Sequence, residues 1–153
     1  MNDIYEVLDK LNIEYKEVEH KKVFTSEEAE YIKEMIEGMG VKNLFLKNKG
    51  NYYLYLINDD KKADLKLLSK EMNLGRLQFG SEEELYNKLK LEIGSVTPLG
   101  LINDNASVEL IISKDLVGKK LLFHPNRNTA TISIEYNDLI KFVEYCENSY
   151  NVI

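Results

Sequence analysis

At 153 residues, with 44% hydrophobic and 30% charged residues, the chain has the proportions of one globular domain, which excludes a disordered tail, a collagen-like fibre or a small disulfide knot. Its 20 basic and 26 acidic residues give a net charge of −6, so an RNA partner would have to meet a local basic patch. A single cysteine, Cys146, excludes an internal disulfide and cysteine-cluster metal sites and suits a reducing cytoplasm; an acidic N-terminus and the lack of a ~20-residue apolar run argue against a signal peptide and a membrane span.

The predicted elements begin with a helix over 3–11, where Ile4, Val7, Leu8 and Leu11 recur at helical spacing. A strand is expected at 13–19. Thr25-Ser26-Glu27-Glu28 is a capping box and opens a helix to about Ile36, with Gly38 and Gly40 expected to stop it. Strands follow near 41–47 and 52–57, joined by the turn Lys49-Gly50-Asn51. A helix is expected over 64–72, and the capping box Ser81-Glu82-Glu83-Glu84 opens another to about Leu89. Later strands are placed near 107–112, 119–123 and 129–134, and a final amphipathic helix over 136–147. Interspersed strands and helices with one hairpin predict an α/β (α+β mixed) single domain, a mixed β-sheet surrounded by helices.

Familiar catalytic signatures are missing: there is no GxSxG, Walker loop, GxGxxG or HExxH. Cys146 falls on the final helix, where a core-facing or partly exposed thiol is the simpler reading than a nucleophile. Three segments stand out. Lys42 and Asn43 sit at the mouth of the apolar strand Leu44-Phe45-Leu46, either as a solvated strand end or as a cation and an amide able to hold phosphate, carbonyl or base. Gly94-Ser95-Val96-Thr97-Pro98, followed by Leu99 and Gly100, is either a helix-to-strand connection or a stiff loop whose backbone approaches a ligand. His124-Pro125-Asn126-Arg127-Asn128-Thr129-Ala130-Thr131 puts one histidine among hydrogen-bonding groups between two strands, as a turn or as a pocket wall.

In this order and spacing the three segments resemble the YbaK/ProX family of prolyl-tRNA editing domains, and most nearly its freestanding deacylases that clear alanine from proline tRNA. Lys42-Asn43-Leu44-Phe45-Leu46 is similar to the family's lysine strand, Gly94 to Pro98 to its GxxxP loop, and His124-Pro125 with Asn128 to Thr131 to its late segment. His20 with Val23-Phe24-Thr25 resembles its early strand-to-helix join.

The resemblance implies a pocket between the lysine strand and the GxxxP loop, and hydrolysis of an aminoacyl ester without metal or cofactor. It implies catalytic parts for Lys42, which would orient the substrate, and for His124, as catalyst or as positioner. It implies substrate contacts from Asn43, at the terminal adenosine, and from Gly94, Ser95, Val96, Thr97, Pro98, Gly100 and Asn128 around the amino acid. The implied partners are mischarged tRNA and, in transient contact, a prolyl-tRNA synthetase or an elongation factor. Arg127 departs from the pattern, as a solvated cation or a tRNA contact. The chemistry needs no protein nucleophile: an aminoacyl ester is already activated, a ribose hydroxyl lies beside it, and orientation with backbone donors to the oxyanion can supply the rate. Two other functions fit the same residues: a deacylase for cysteine or another small amino acid, and a non-catalytic module that senses an amino acid or aminoacyl-tRNA.

Overall fold

The computed structural model describes residues 3–153, and of Ser26 the backbone alone. The chain runs α1 (Ile4–Lys10), β1 (Lys16–Glu19), α2 (Ser26–Met35), β2 (Met39–Asn48), β3 (Asn51–Asn58), α3 (Leu65–Glu71), β4 (Gln78–Phe79), α4 (Glu82–Leu89), a 3₁₀ turn (Pro98–Asn103), β5 (Val108–Ile112), a second 3₁₀ turn (Lys114–Leu116), β6 (Lys120–Phe123), β7 (Ala130–Glu135), α5 (Tyr136–Tyr145) and β8 (Tyr150–Val152). The expected mixed sheet surrounded by helices is present. Its strand order is β1-β7-β6-β2-β3-β5-β8, with β4 on β2; β6/β2, β3/β5 and β5/β8 are parallel, and the other pairs antiparallel. Among the described residues no helix is long and apolar enough to cross a membrane.

Local chemistry explains most boundaries. Thr25 Oγ1 accepts the Glu28 N–H, and the Glu28 carboxylate accepts the Phe24 N–H, which fixes the start of α2. Ser81 and Glu84 form a reciprocal capping box at α4. Lys49 and Gly50, both at positive φ, make the two-residue turn that joins β2 to β3. Two expectations change. Gly40 does not stop α2; it lies inside β2, where a Cβ would sit 2.0 Å from Asp59 Oδ2 and 2.7 Å from Lys33 Cε. The short edge strands β4 and β8 were not predicted, because two or three residues carry no periodicity.

The apolar residues divide the sheet faces. The main core packs α1, α4, α5 and the first 3₁₀ turn against Phe45, Leu54, Leu56, Leu110, Leu121, Phe123 and Ile132. On the opposite face, Leu68 of α3 joins Leu46, Tyr53 and Ile111, while Ile32 and Ile36 of α2 sit on Leu122. Burial of each α2 isoleucine contributes roughly 1.5–3 kcal/mol relative to exposure, so α2 is held by a small apolar contact and needs polar anchors as well.

Candidate active site

The sheet contains a gap. β3 pairs with one edge of β2 along its length, from Val41↔Asn58 to Asn48↔Asn51. The other edge is shared: β6 takes Met39 and Gly40, and β4 takes Leu46 and Lys47. Residues 41–44 lie between these contacts with no strand beside them. A cavity of about 100 Å³ opens there beneath α2, lined by Val23, Ala29, Ile32, Lys33, Gly40, Val41, Asn43, Asp59, Leu122, Phe123, His124 and Thr131.

Strand register explains why distant residues meet at this cavity. Gly40 is paired with Leu122 in the parallel β2/β6 ladder, and Leu122 with Ser133 across β6/β7. One step beyond the last β6/β7 pair, Phe123↔Ile132, His124 falls opposite Thr131, and both side chains line the cavity. Thr131 in turn neighbours Val18 of β1. The row His124, Thr131 therefore joins the ends of β6 and β7 at the cavity, while Lys42, two residues beyond the last β2/β6 pair, is not among its lining residues.

Each of these polar groups has a defined partner. Lys42 Nζ donates to the Lys61 carbonyl at 2.7 Å, in the loop between β3 and α3. His124 Nδ1 lies 2.9 Å from the Ala130 carbonyl. A carbonyl only accepts, so Nδ1 carries the proton and the neutral ring presents its Nε2 lone pair. Burial lowers the His124 pKa; the Ala130 bond opposes this, and charge on His20 adds to it. The two imidazole centroids are 6.2 Å apart. His20 bridges the Lys21 carbonyl at 2.7 Å and Thr131 Oγ1 at 2.9 Å. Asn43 donates through Nδ2 to the Val41 carbonyl at 3.2 Å, and its Oδ1 is buried without a partner, as is Asn126 Oδ1. An unpaired buried acceptor costs about 1–3 kcal/mol, which a ligand or water donor offsets.

The roof of the cavity has two polar anchors. Lys33 of α2 bonds Asp59 at 2.9 Å and Glu30 at 3.1 Å. The Lys33–Asp59 pair crosses β2 over Gly40, where only a missing side chain leaves room. At the start of the roof, Asn128 Nδ2 donates to the Val23 carbonyl at 3.0 Å and its Oδ1 accepts the Val23 N–H at 3.4 Å. Both ends of the Asn128 amide are thus engaged with the protein. Asn128 clamps the approach to α2, in place of the expected amino-acid contact.

The Gly94–Gly100 segment is placed differently from the expectation. None of its residues lines the cavity beneath α2. Ser95 and Thr97 are buried; Ser95 Oγ donates to the Glu92 carbonyl, and Thr97 Oγ1 accepts the Leu99 N–H as the cap of the 3₁₀ turn. Pro98 is the buried first residue of that turn. Val96 packs against the main core. Gly100 does not bring backbone to a ligand: a Cβ there would lie 2.6 Å from Leu91 Cδ1, so the glycine serves packing of the turn against the end of α4. The amides of Ser95 and Gly100 are also bonded within the segment. Gly94, at positive φ and exposed, borders the site through Asn128, whose Nδ2 is 3.2 Å from where a Gly94 Cβ would stand.

Two side chains are removed from the chemistry. Arg127 bonds Thr129 Oγ1 at 2.9 Å and pairs with Glu19 and Glu17 of β1, so it braces β1. Cys146 packs against the main core, and burial, aided by the charge of Asp104, pushes its thiol up to about 12, far from nucleophilic. Among the described residues no three His, Cys, Asp or Glu side chains are grouped to hold a metal ion. Thr131 was read only as the end of the late segment, with no role of its own, and the Lys33–Asp59 pair was not singled out from sequence. Their signal is the strand register, which no local motif carries.

The sequence and the fold have matches among known proteins. Residues 20–142 match the family model for the aminoacyl-tRNA editing domain. The chain belongs to this family, and is an enzyme of the aminoacyl-tRNA hydrolase class. It is 43% identical over 152 residues to the prolyl-tRNA editing protein ProX of Acetoanaerobium sticklandii, covering 95% of this chain and 92% of that one. It is 37% identical over 144 residues to the mouse prolyl-tRNA synthetase associated domain-containing protein 1, covering 90% and 85%. The crystal structure of a candidate trans-editing enzyme for prolyl tRNA synthetase superposes with a TM-score of 0.74 at 20% identity, over 99% of this chain and 96% of that one, which shows the shared fold.

Proposed function

We propose that the protein acts in trans on mischarged proline tRNA and hydrolyses its alanyl ester. The observation that carries this reading is the size and placement of the cavity beneath α2. About 100 Å³ suits a small aminoacyl group. Ala29, Ile32, Val41 and Leu122 give it apolar walls, and Asn43, His124 and Thr131 give it polar ones, with Lys33 and Asp59 at the roof. The names of the relatives support proline tRNA as the carrier.

In this reading Lys42 leaves the Lys61 carbonyl to hold the terminal phosphate or the ester. His124 Nε2, unprotonated at neutral pH, accepts a proton or hydrogen bond from the attacking water or the vicinal ribose hydroxyl. Asn43, with its amide nitrogen already engaged, offers Oδ1 to a donor of the terminal adenosine. Gly94 and the exposed end of its loop border the entering acyl group. Holding water, hydroxyl and carbonyl in line supplies most of the acceleration. Exposed Lys61, Lys62, Lys66 and Lys70, interspersed with Asp60, Asp64 and Glu71 along the loop and α3, are the cations near Lys42 that tRNA phosphates would meet. A synthetase or elongation factor would supply or receive the tRNA in passing.

The test is a deacylation panel on one proline tRNA carrying alanine, cysteine or serine. The reading expects alanine to be released fastest. Faster release of cysteine would favour a cysteine deacylase, and no release with retained tRNA binding would favour a sensing module.

A further inference from the structure

Thr131 and His20 have no part in the reaction as described so far, yet their hydrogen bonds fix the polarity of the cavity. His20 Nδ1 is 2.7 Å from the Lys21 carbonyl, which only accepts, so Nδ1 is the protonated nitrogen. In the neutral ring Nε2 is then a bare acceptor. While the ring is neutral, the 2.9 Å contact to Thr131 is donated by the Thr131 hydroxyl. That hydroxyl has one proton and gives it to His20, so only lone pairs remain for the cavity it lines. Thr131 is 5% exposed, which leaves little solvent to reorient it. His124, opposite Thr131, presents a lone pair at Nε2 for the same reason. His124 and Thr131 therefore present acceptors to the cavity, while the donors in its lining, Lys33 Nζ and Asn43 Nδ2, are bonded to Asp59 and Glu30 and to the Val41 carbonyl.

An acyl group small enough to enter carries one strong donor, its α-ammonium, with three N–H bonds. The ribose hydroxyl and the adenosine donor have their acceptors in His124 and Asn43, which leaves the α-ammonium for Thr131. We propose that Thr131 Oγ1 binds the α-ammonium of the aminoacyl ester, and that His20 is a positioning residue that keeps this oxygen an acceptor. The inference rests on the deacylase reading and adds the recognition of the amine to it. It also separates an amino acid from an acyl group of equal size that lacks nitrogen.

Stable amide analogues test it without turnover: 3′-amino-3′-deoxyadenosine acylated with alanine or with propionate. The wild-type protein should bind the alanyl analogue roughly tenfold or more tighter, the range for a hydrogen bond to a charged group. Thr131→Val should erase the preference, Thr131→Ser should keep it, and His20→Ala should reduce it. Each ratio is taken on one protein, so a general loss of stability cancels. Equal binding of the two analogues by the wild type, or a preference that survives in Thr131→Val, overturns the inference. Equal binding alongside active deacylation would leave the deacylase reading intact, whereas failure of the deacylation panel would remove that reading itself.

Discussion

The ammonium of Lys42 is bonded at 2.7 Å to the carbonyl of Lys61, so the cation at the unpaired edge of β2 is held on the loop after β3. This single neutral acceptor is a weak competitor for a phosphate or a polarised ester. Lys42→Ala should lower deacylation on the order of 100-fold or more through lost positioning. Thermal unfolding should change little, since the half-buried amine makes one hydrogen bond. Single-turnover rates on alanyl proline tRNA, with an unfolding curve beside them, check both parts. Near-normal turnover by the folded variant would remove Lys42 from the mechanism.

His124 sets the acid limb of activity. Burial holds its pKa below the usual imidazole value of about 6.5, so Nε2 stays unprotonated to lower pH than in a free histidine. The kcat/KM profile should lose its acid side below pH 6.5. Stability follows the same direction: the unfolded chain binds the proton first, so this contribution is complete above pH 6.5 and is lost as pH falls toward the folded pKa. A limb centred at or above pH 6.5 would contradict the buried, neutral ring.

Glu84 ties the gap to α4. Its carboxylate accepts from Tyr52 Oη at 2.6 Å, the Ser81 N–H at 2.8 Å and Lys47 at 2.9 Å. The Tyr52 bond first, then those of Ser81 and Lys47, lower its pKa from 4.5 to about 2. The stabilisation is present above pH 4.5 and lost between 4.5 and about 2. Urea midpoints for the wild type and Glu84→Gln should differ at pH 7 and converge toward pH 2. A gap that stays constant across this range would show that the charge does not matter.

Gly40 makes room for the roof anchor. Gly40→Ala forces the Lys33–Asp59 pair away from β2 and should cost about 1–3 kcal/mol, as overpacking does. Removing the obstruction in Gly40→Ala/Asp59→Ala should return part of that loss. A double-mutant cycle by urea unfolding measures it; strict additivity would mean that the two positions do not press on each other.

Elements with local chemistry were legible before the structure. The hydroxyl–carboxylate pairs at Thr25/Glu28 and Ser81/Glu84 and the Lys49-Gly50 turn act within a few residues, and their helices and hairpin lie where expected. Lys42, Asn43 and His124 were read as one site; Asn43 and His124 line the cavity beneath α2, and Lys42 is bonded to the loop after β3. What sequence could not show depends on partners brought by the fold. Gly40 reads as a breaker until Asp59 and Lys33 are seen above it. Gly100 reads as a flexible loop residue until Leu91 is found against it, and Val96 as a pocket wall until it is found in the main core. Thr131 looks like any strand threonine until the ladder sets it opposite His124.

The central claim is that a small cavity beneath α2 admits alanine and excludes proline. Its most direct test is the ratio of alanyl to prolyl deacylation on the same proline tRNA, measured for the wild type and for Ile32→Ala, which enlarges the cavity wall. A steric clash of about 1–3 kcal/mol predicts roughly 5–150-fold preference for alanine, reduced in the variant. Equal rates for the two esters with the wild-type protein would contradict the account, because an enzyme that destroys the correct product cannot edit.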